Sequence, residues 1–178
     1  MRIIPAFAAM LLATTATAAI AHNHKHDHGK TPTIVEAAIA SPDHKTLVAA
    51  VTAANLVDTL ASPGPFTVFA PNDAAFAALP KGTVATLLEP ENLAKLQAVL
   101  TYHVVAGTVT AADLIKDIQA GGGSANLTTV EGSVLNASLV DGSVVLTDEN
   151  GGKATVIAAD VKGSNGIIHV TNAVSLPM

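Results

Sequence analysis

Thr67-Val68-Phe69-Ala70-Pro71-Asn72-Asp73-Ala74-Ala75-Phe76 ends one structural element and begins another within ten residues. Residues 66–70 carry β-branched and aromatic side chains in partial alternation, which reads as a strand. Pro71 has no amide hydrogen to give to a ladder and stops it. Asn72 or Asp73 then caps the free amides of a helical turn that carries Phe76 and Leu79. Phe66, Phe69 and Phe76 are expected to share the core beneath, each worth roughly 1.5–3 kcal/mol on burial. Thr67, Phe69, Pro71, Asn72, Asp73 and Phe76 are therefore read as folding devices.

Upstream, Thr33-Ile34-Val35-Glu36 has the pattern of a capping box at the start of a short helix. Ser41-Pro42 reads as a cap with proline in the first helical position. Leu47, Val48, Val51 and Ala54 follow at helical spacing. Downstream, residues 83–88 form a short helix, and Glu89-Pro90-Glu91 opens another with Leu93, Leu96 and Leu100 on one face. Tyr102-His103-Val104-Val105 reads as a strand, and Thr110 caps a helix bearing Leu114, Ile115 and Ile118. After Gly121-Gly122-Gly123-Ser124 the pattern is all strand. Residues 134–140 and 143–147 flank Asp141-Gly142, a two-residue hairpin signal. Glu149-Asn150-Gly151-Gly152 turns into an alternating run over 153–157. Asn165-Gly166 is expected to supply a left-handed turn before Ile167-Ile168-His169-Val170, and Val174-Ser175-Leu176 closes the domain before Pro177.

Composition narrows the function. The 178 residues contain no cysteine, so disulfides, thiolate metal sites and cysteine nucleophiles are excluded. Hydrophobic residues at 49% against 13% charged describe a chain that buries a core. A net charge of −5 speaks against nucleic-acid binding, and 3% aromatics leave few stacking platforms.

The first thirty residues read separately. Arg2, an apolar run over 3–12 and a small-residue stretch over 13–21 make an export signal. Cleavage follows Ala21 in Ala19-Ile20-Ala21, with Ala18 as the competing point. The apolar run is about half the ~20 residues a span requires, so no membrane span is expected once the signal is removed. A cysteine-free exported chain fits the periplasm or the cell exterior, where disulfides are permitted without being required.

Next, His22, His24, His26 and His28 alternate in a tail running over 22–32. In an extended chain they would project to one side, neighbours ~7 Å apart. Imidazoles so placed suit copper, nickel or zinc, and a new amine at His22 would complete a square-planar site with two amides and His24. A solvated polar linker is the competing reading.

Catalytic patterns are missing. There is no His-x-Glu, His-Glu-x-x-His or Gly-x-Ser-x-Gly motif, and no glycine loop ends in Lys-Ser/Thr. Glu89, Glu91, Asp113 and Asp117 sit where helix dipoles or solvent account for them. Asp148-Glu149-Asn150-Gly151 lacks the distal acid of a calcium loop and reads as a turn. His44 is expected to be solvated, and His169, with Ile168 and Val170 beside it, to be structural. No enzyme and no bound cofactor are expected.

The segment 67–76 resembles the first box of the fasciclin (FAS1) domain family. Asn165-Gly166-Ile167-Ile168-His169-Val170-Thr171-Asn172-Ala173-Val174-Ser175-Leu176-Pro177 resembles the second box, in which Gly166, His169 and Pro177 are motif positions. Leu100-Thr101-Tyr102-His103-Val104-Val105-Ala106-Gly107 is similar to the family's central tyrosine-histidine segment. Thr171-Asn172 departs from the usual aliphatic-Asp pair. The resemblance spans residues 33–177 and implies an α+β fold, a β-wedge of two packed sheets with several short helices, over a domain of residues 33–178. It also implies a non-enzymatic bacterial module of the secreted single-domain type. Such a module acts in cell adhesion or surface and matrix association as a monomer, on a cell-surface or matrix protein, a glycan or a lipid. Tyr102 and His103, with aliphatic Leu100, Val104 and Val105, would form the partner-binding patch. Read without the family, His103 is a buried histidine with both ring nitrogens bonded, and Tyr102 packs its ring and exposes its hydroxyl.

Intact-mass measurement of the exported protein is expected to find His22 as the first residue. Titration with Cu(II), Ni(II) or Zn(II) is expected to show uptake above that of a chain starting at Thr31; equal uptake leaves the solvated linker.

Overall fold

Thr33 opens the first helix as its neighbours dictate in the computed structural model, which describes residues 31–177. Its hydroxyl accepts the Glu36 amide, and the Glu36 carboxylate accepts the Thr33 amide at 2.7 Å. The signal segment 1–21, its cleavage point and His22, His24, His26 and His28 lie outside the described residues.

Among the described residues three helices come first: α1 (Ile34–Ala40), α2 (Lys45–Ala53) and α3 (Val57–Ala61). Strand β1 (Phe66–Pro71) leads into α4 (Asp73–Ala77), α5 (Thr83–Leu88), a 3₁₀ turn (Pro90–Asn92) and α6 (Leu93–Tyr102). Then come β2 (Val104–Ala106), α7 (Ala111–Ala120) and five strands: β3 (Ser124–Thr128), β4 (Val134–Val140), β5 (Ser143–Thr147), β6 (Lys153–Gly163) and β7 (Gly166–Thr171).

The strands form one mixed seven-stranded sheet in the order β2-β1-β7-β6-β5-β4-β3. Only β1 and β7 run parallel; the other neighbours are antiparallel. The two expected sheets are halves of this one, hinged on β6. Its first residues, Lys153 to Thr155, pair with β5, and Val156 to Gly163 pair with β7 across two register shifts. Such bulges bend a strand and sharpen its twist. The bend brings the two edges of the sheet together: Val105 bridges Thr129, and the Val104 carbonyl accepts the Val130 amide at 2.7 Å.

Alternation along β1 divides the interior. Ala70, with Val68 packed at its margin, joins Phe76, Leu96, Leu100 and Ile168 beneath the first six helices. Phe69 points the other way, into a second core with Tyr102, Leu114, Ile118, Leu135 and Leu146. The three phenylalanines therefore do not share one core: Phe66 and Phe76 lie on the helical side and Phe69 on the other.

Several sequence expectations are corrected. Ser41 ends α1 instead of capping α2, whose N-cap is His44. The cap of α2 comes from a distant residue, because the Asp73 carboxylate accepts the Thr46 amide at 2.8 Å. Burial pushes that carboxyl up, but hydrogen bonds from Thr46 and Lys45 and the nearby His44 outweigh it and hold it below the usual range. Asn72 caps α4 itself, through Ala75. Tyr102 is the last helical residue and His103 its C-cap, so the strand begins only at Val104. Neither Asn165 nor Gly166 is left-handed. Glycine is required at 166 because a Cβ there would drive into the Phe66 carbonyl. Asp141 and Gly142, by contrast, have φ of 51° and 82°, the pair of positive values that a tight hairpin demands. Helix α3 falls outside the helices read from the sequence, and residues 174–176 form no ladder.

Phe69→Ala is expected to cost about 3–5 kcal/mol in urea unfolding, whereas Leu88→Ala, at a site 37% exposed, is expected to stay within about 0.5–1 kcal/mol.

Candidate functional site

Helix α6 ends in a buried place, so its last carbonyls need partners that water cannot supply. His103 provides one by reaching back: its Nδ1 lies 2.7 Å from the Val99 carbonyl. A carbonyl only accepts, so Nδ1 carries the hydrogen. Nε2 is then a bare acceptor and takes the Ser175 amide at 3.0 Å. Both ring nitrogens are thus held by backbone, and the ring is buried at 3% exposure. Desolvation lowers its pKa below the usual 6.5, against the opposing pull of the Val99 bond and Asp148.

Tyr102 faces the opposite core and is wholly buried. Its hydroxyl is not exposed: it donates to the Val134 carbonyl and accepts the Glu149 amide, both at 3.3 Å. Burial first, then the neighbouring carboxylates Glu149, Asp148 and Glu131, raise the phenol's pKa, while the Glu149 amide bond opposes them.

His169 is built in with the other tautomer. Nε2 donates to the Val109 carbonyl at 2.8 Å and Nδ1 accepts the Asp160 amide at 3.3 Å. The ring stacks on Phe69 at 5.4 Å between centroids. Thr67 closes the same corner, its hydroxyl donating to the Gly107 carbonyl at 2.7 Å and accepting the Val109 amide at 2.8 Å. Asp160, at φ 58°, completes the link by accepting the Ala111 amide at the start of α7.

The chain end is strapped down by a turn. The Asp148 carboxylate accepts Asn150 and Gly152 amides through Oδ1 and the Leu176 amide through Oδ2 at 3.0 Å. Asn150 Nδ2 donates to the Leu176 carbonyl at 2.9 Å and to the Pro177 carbonyl at 3.4 Å. The Thr171-Asn172 departure is also absorbed structurally: Thr171 Oγ1 donates to the Ala173 carbonyl, and Asn172 Oδ1 accepts the Thr155 amide at 2.8 Å.

The expected contact patch is therefore interior, not surface. Leu100, Tyr102, His103, Val104 and Val105 are each at or below 5% exposure. They also divide between two cores. Leu100, His103 and Val104 form the floor of an apolar cleft of about 50 Å³ between α1 and α2, while Tyr102 and Val105 belong to the second core. Val35, Ala38, Ile39, Val48 and Thr52 also line the cleft, and Ile39 is 59% exposed. Sequence reasoning missed this cleft because it forms between residues of α1, α2, β1 and α6 that are far apart in the chain. It missed Asp148, Asn150, Asp160 and Asn165 as tertiary anchors because their partners lie far along the chain. His44, expected in solvent, is buried beside the Ser41 hydroxyl at 2.7 Å. Among the described residues no three His, Asp or Glu side chains converge as a metal site, and no helix is long and apolar enough to cross a membrane.

A family model described as Fasciclin domain matches residues 42–177. Protein sll1483 of Synechocystis sp. is 46% identical over 174 residues, covering 98% of this chain and 88% of that protein. Immunogenic protein MPB70 of Mycobacterium bovis is 34% identical over 149 residues, covering 81% and 68%. The solved FAS1 domain pair of the insect cell adhesion molecule Fasciclin I shares the fold with a TM-score of 0.74 at 23% identity. That match takes in 83% of this chain and 51% of the pair.

His103 makes stability pH-dependent in a defined direction. The folded ring holds its proton less tightly than the unfolded one, so its contribution is complete above the unfolded value of about 6.5 and is lost as pH falls through the lower folded value. Urea unfolding of wild type and His103→Gln at neutral and mildly acidic pH is expected to show the larger acid loss in wild type.

Proposed function

Because the chain belongs to the fasciclin domain family, we propose that it is an exported, non-catalytic binding module that attaches to a cell-surface or matrix partner. The observation that carries this reading is the state of its polar interior. His103, His169, Tyr102 and Asp148 have their polar atoms bonded to backbone. These four leave no polar atom to move a proton or attack a substrate; among the described residues the buried side-chain atoms without a partner are His44 Nε2 and Ser175 Oγ. Among the side chains presented outward are the apolar Ile39, Val140 and Ile157.

The contact region in this reading is the α1–α2 cleft. Its lip carries Ile39 in solvent, and its floor is the aliphatic part of the tyrosine-histidine segment. A partner inserting one branched aliphatic tip would gain roughly 1.5–3 kcal/mol from burial alone. That is weak for one copy and sufficient when many copies face one surface. The fold shared with a domain pair of an insect cell adhesion molecule supports the adhesive role. The export signal read over residues 1–21 supports an extracytoplasmic location.

Beads coated with the protein are expected to be retained on cells or matrix, and Ile39→Glu is expected to cut retention about tenfold, the equivalent of 1.4 kcal/mol, with an unchanged thermal midpoint. Equal retention by the folded variant removes the cleft from the contact.

A further inference from the structure

The sequence contains two Asn-Gly pairs, Asn150-Gly151 and Asn165-Gly166. In such a pair the glycine amide nitrogen, unhindered by a neighbouring Cβ, can attack the asparagine Cγ. The N–Cγ bond forms, the Cγ–Nδ2 bond breaks, and ammonia leaves with the amide's proton. Water then opens the resulting succinimide to aspartate or isoaspartate, with no oxidant or reductant involved.

The fold treats the two pairs oppositely. Asn165 has a saturated side chain: Oδ1 accepts the Ile34 amide at 3.0 Å, and Nδ2 donates to the carbonyls of Leu60 and Ser62 at 2.7 and 3.0 Å. Gly166 is fixed in β7 against Phe66. Swinging that Cγ onto the next nitrogen breaks three bonds that anchor α1 and α3. Asn150 and Gly151 are both exposed in a turn, and Gly151 has φ 81°. One bond of 3.0 Å, from its amide to the Asp148 carbonyl, restrains the Gly151 nitrogen. The Asn150 side chain holds only the chain end, through the Leu176 and Pro177 carbonyls.

We propose that Asn150-Gly151 is a self-modifying site whose conversion to aspartate or isoaspartate loosens the strapped chain end at Leu176, while Asn165-Gly166 is protected by its bonds. Conversion removes the Nδ2 donor and sets a carboxylate against two carbonyl oxygens. It also adds a negative charge beside Asp148 and Glu149, the first of which holds the Leu176 amide. Ser175, tied to His103 in the interior, stays in place.

The full chain is incubated in warm, mildly alkaline buffer and mapped by peptide mass spectrometry. The mass gain of deamidation is expected in the Asn150 peptide and not in the Asn165 peptide, and Asn150→Gln is expected to abolish it. No gain at Asn150, or an equal rate at Asn165, overturns the assignment. Hydrogen exchange of Asn150→Asp is expected to be several-fold faster at Leu176 and unchanged at Ser175. Unchanged exchange at Leu176 overturns the loosening.

Discussion

A backbone hydrogen bond of 2.7 Å, from the Val130 amide to the Val104 carbonyl, joins the two ends of the sheet. Everything around the tyrosine-histidine segment follows from that seam. An open seven-stranded sheet presents two unpaired edges. Here the ends of the strand order are drawn together by the bend at β6, and α6 must deliver the chain to β2 just beside the seam. The helix therefore terminates without water, and each polar group at its end needs a partner from the protein. His103 turns back on its own helix, and Tyr102 reaches across to Val134 and Glu149. The two adjacent side chains face different ways because Tyr102 is the last helical residue and His103 the cap that follows it.

The absence of cysteine fits this arrangement. Two cores on either side of β1 and β7 supply cohesion from burial. Polar side chains at Asp73, Asp148 and Asn165 connect segments that are distant in sequence. These groups perform locally what cross-links perform in small disulfide-rich domains.

Much of this was legible in the residues themselves. Thr33-x-x-Glu36, the Pro71-Asn72 stop, Asp141-Gly142 and the residues of α5 act through neighbours in sequence, so local chemistry announces them. The family resemblance, carried by three ordered segments, identified the fold. What stayed hidden depends on distant partners. Asp73 caps α2 instead of α4, because the loop before α2 packs against the start of α4. Tyr102-His103 looks like a strand because tyrosine and valine favour one, yet α6 extends through Tyr102 under tertiary packing. The contact patch expected from the family is interior because those residues form the seam, and their aliphatic part is visible only as a cleft floor.

The parallel pairing of β1 with β7 has a consequence for how the molecule is made. The register joins Phe66 to Gly166 and Pro71 to Thr171, so the first strand finds its inner neighbour only in the last. Until β7 has formed, the central ladder lacks one side. Loop closure on this scale makes assembly slow and late. The middle of the sheet is thus completed by a closure between segments remote in sequence, and the central ladder has both its neighbours only once the chain between them has folded back.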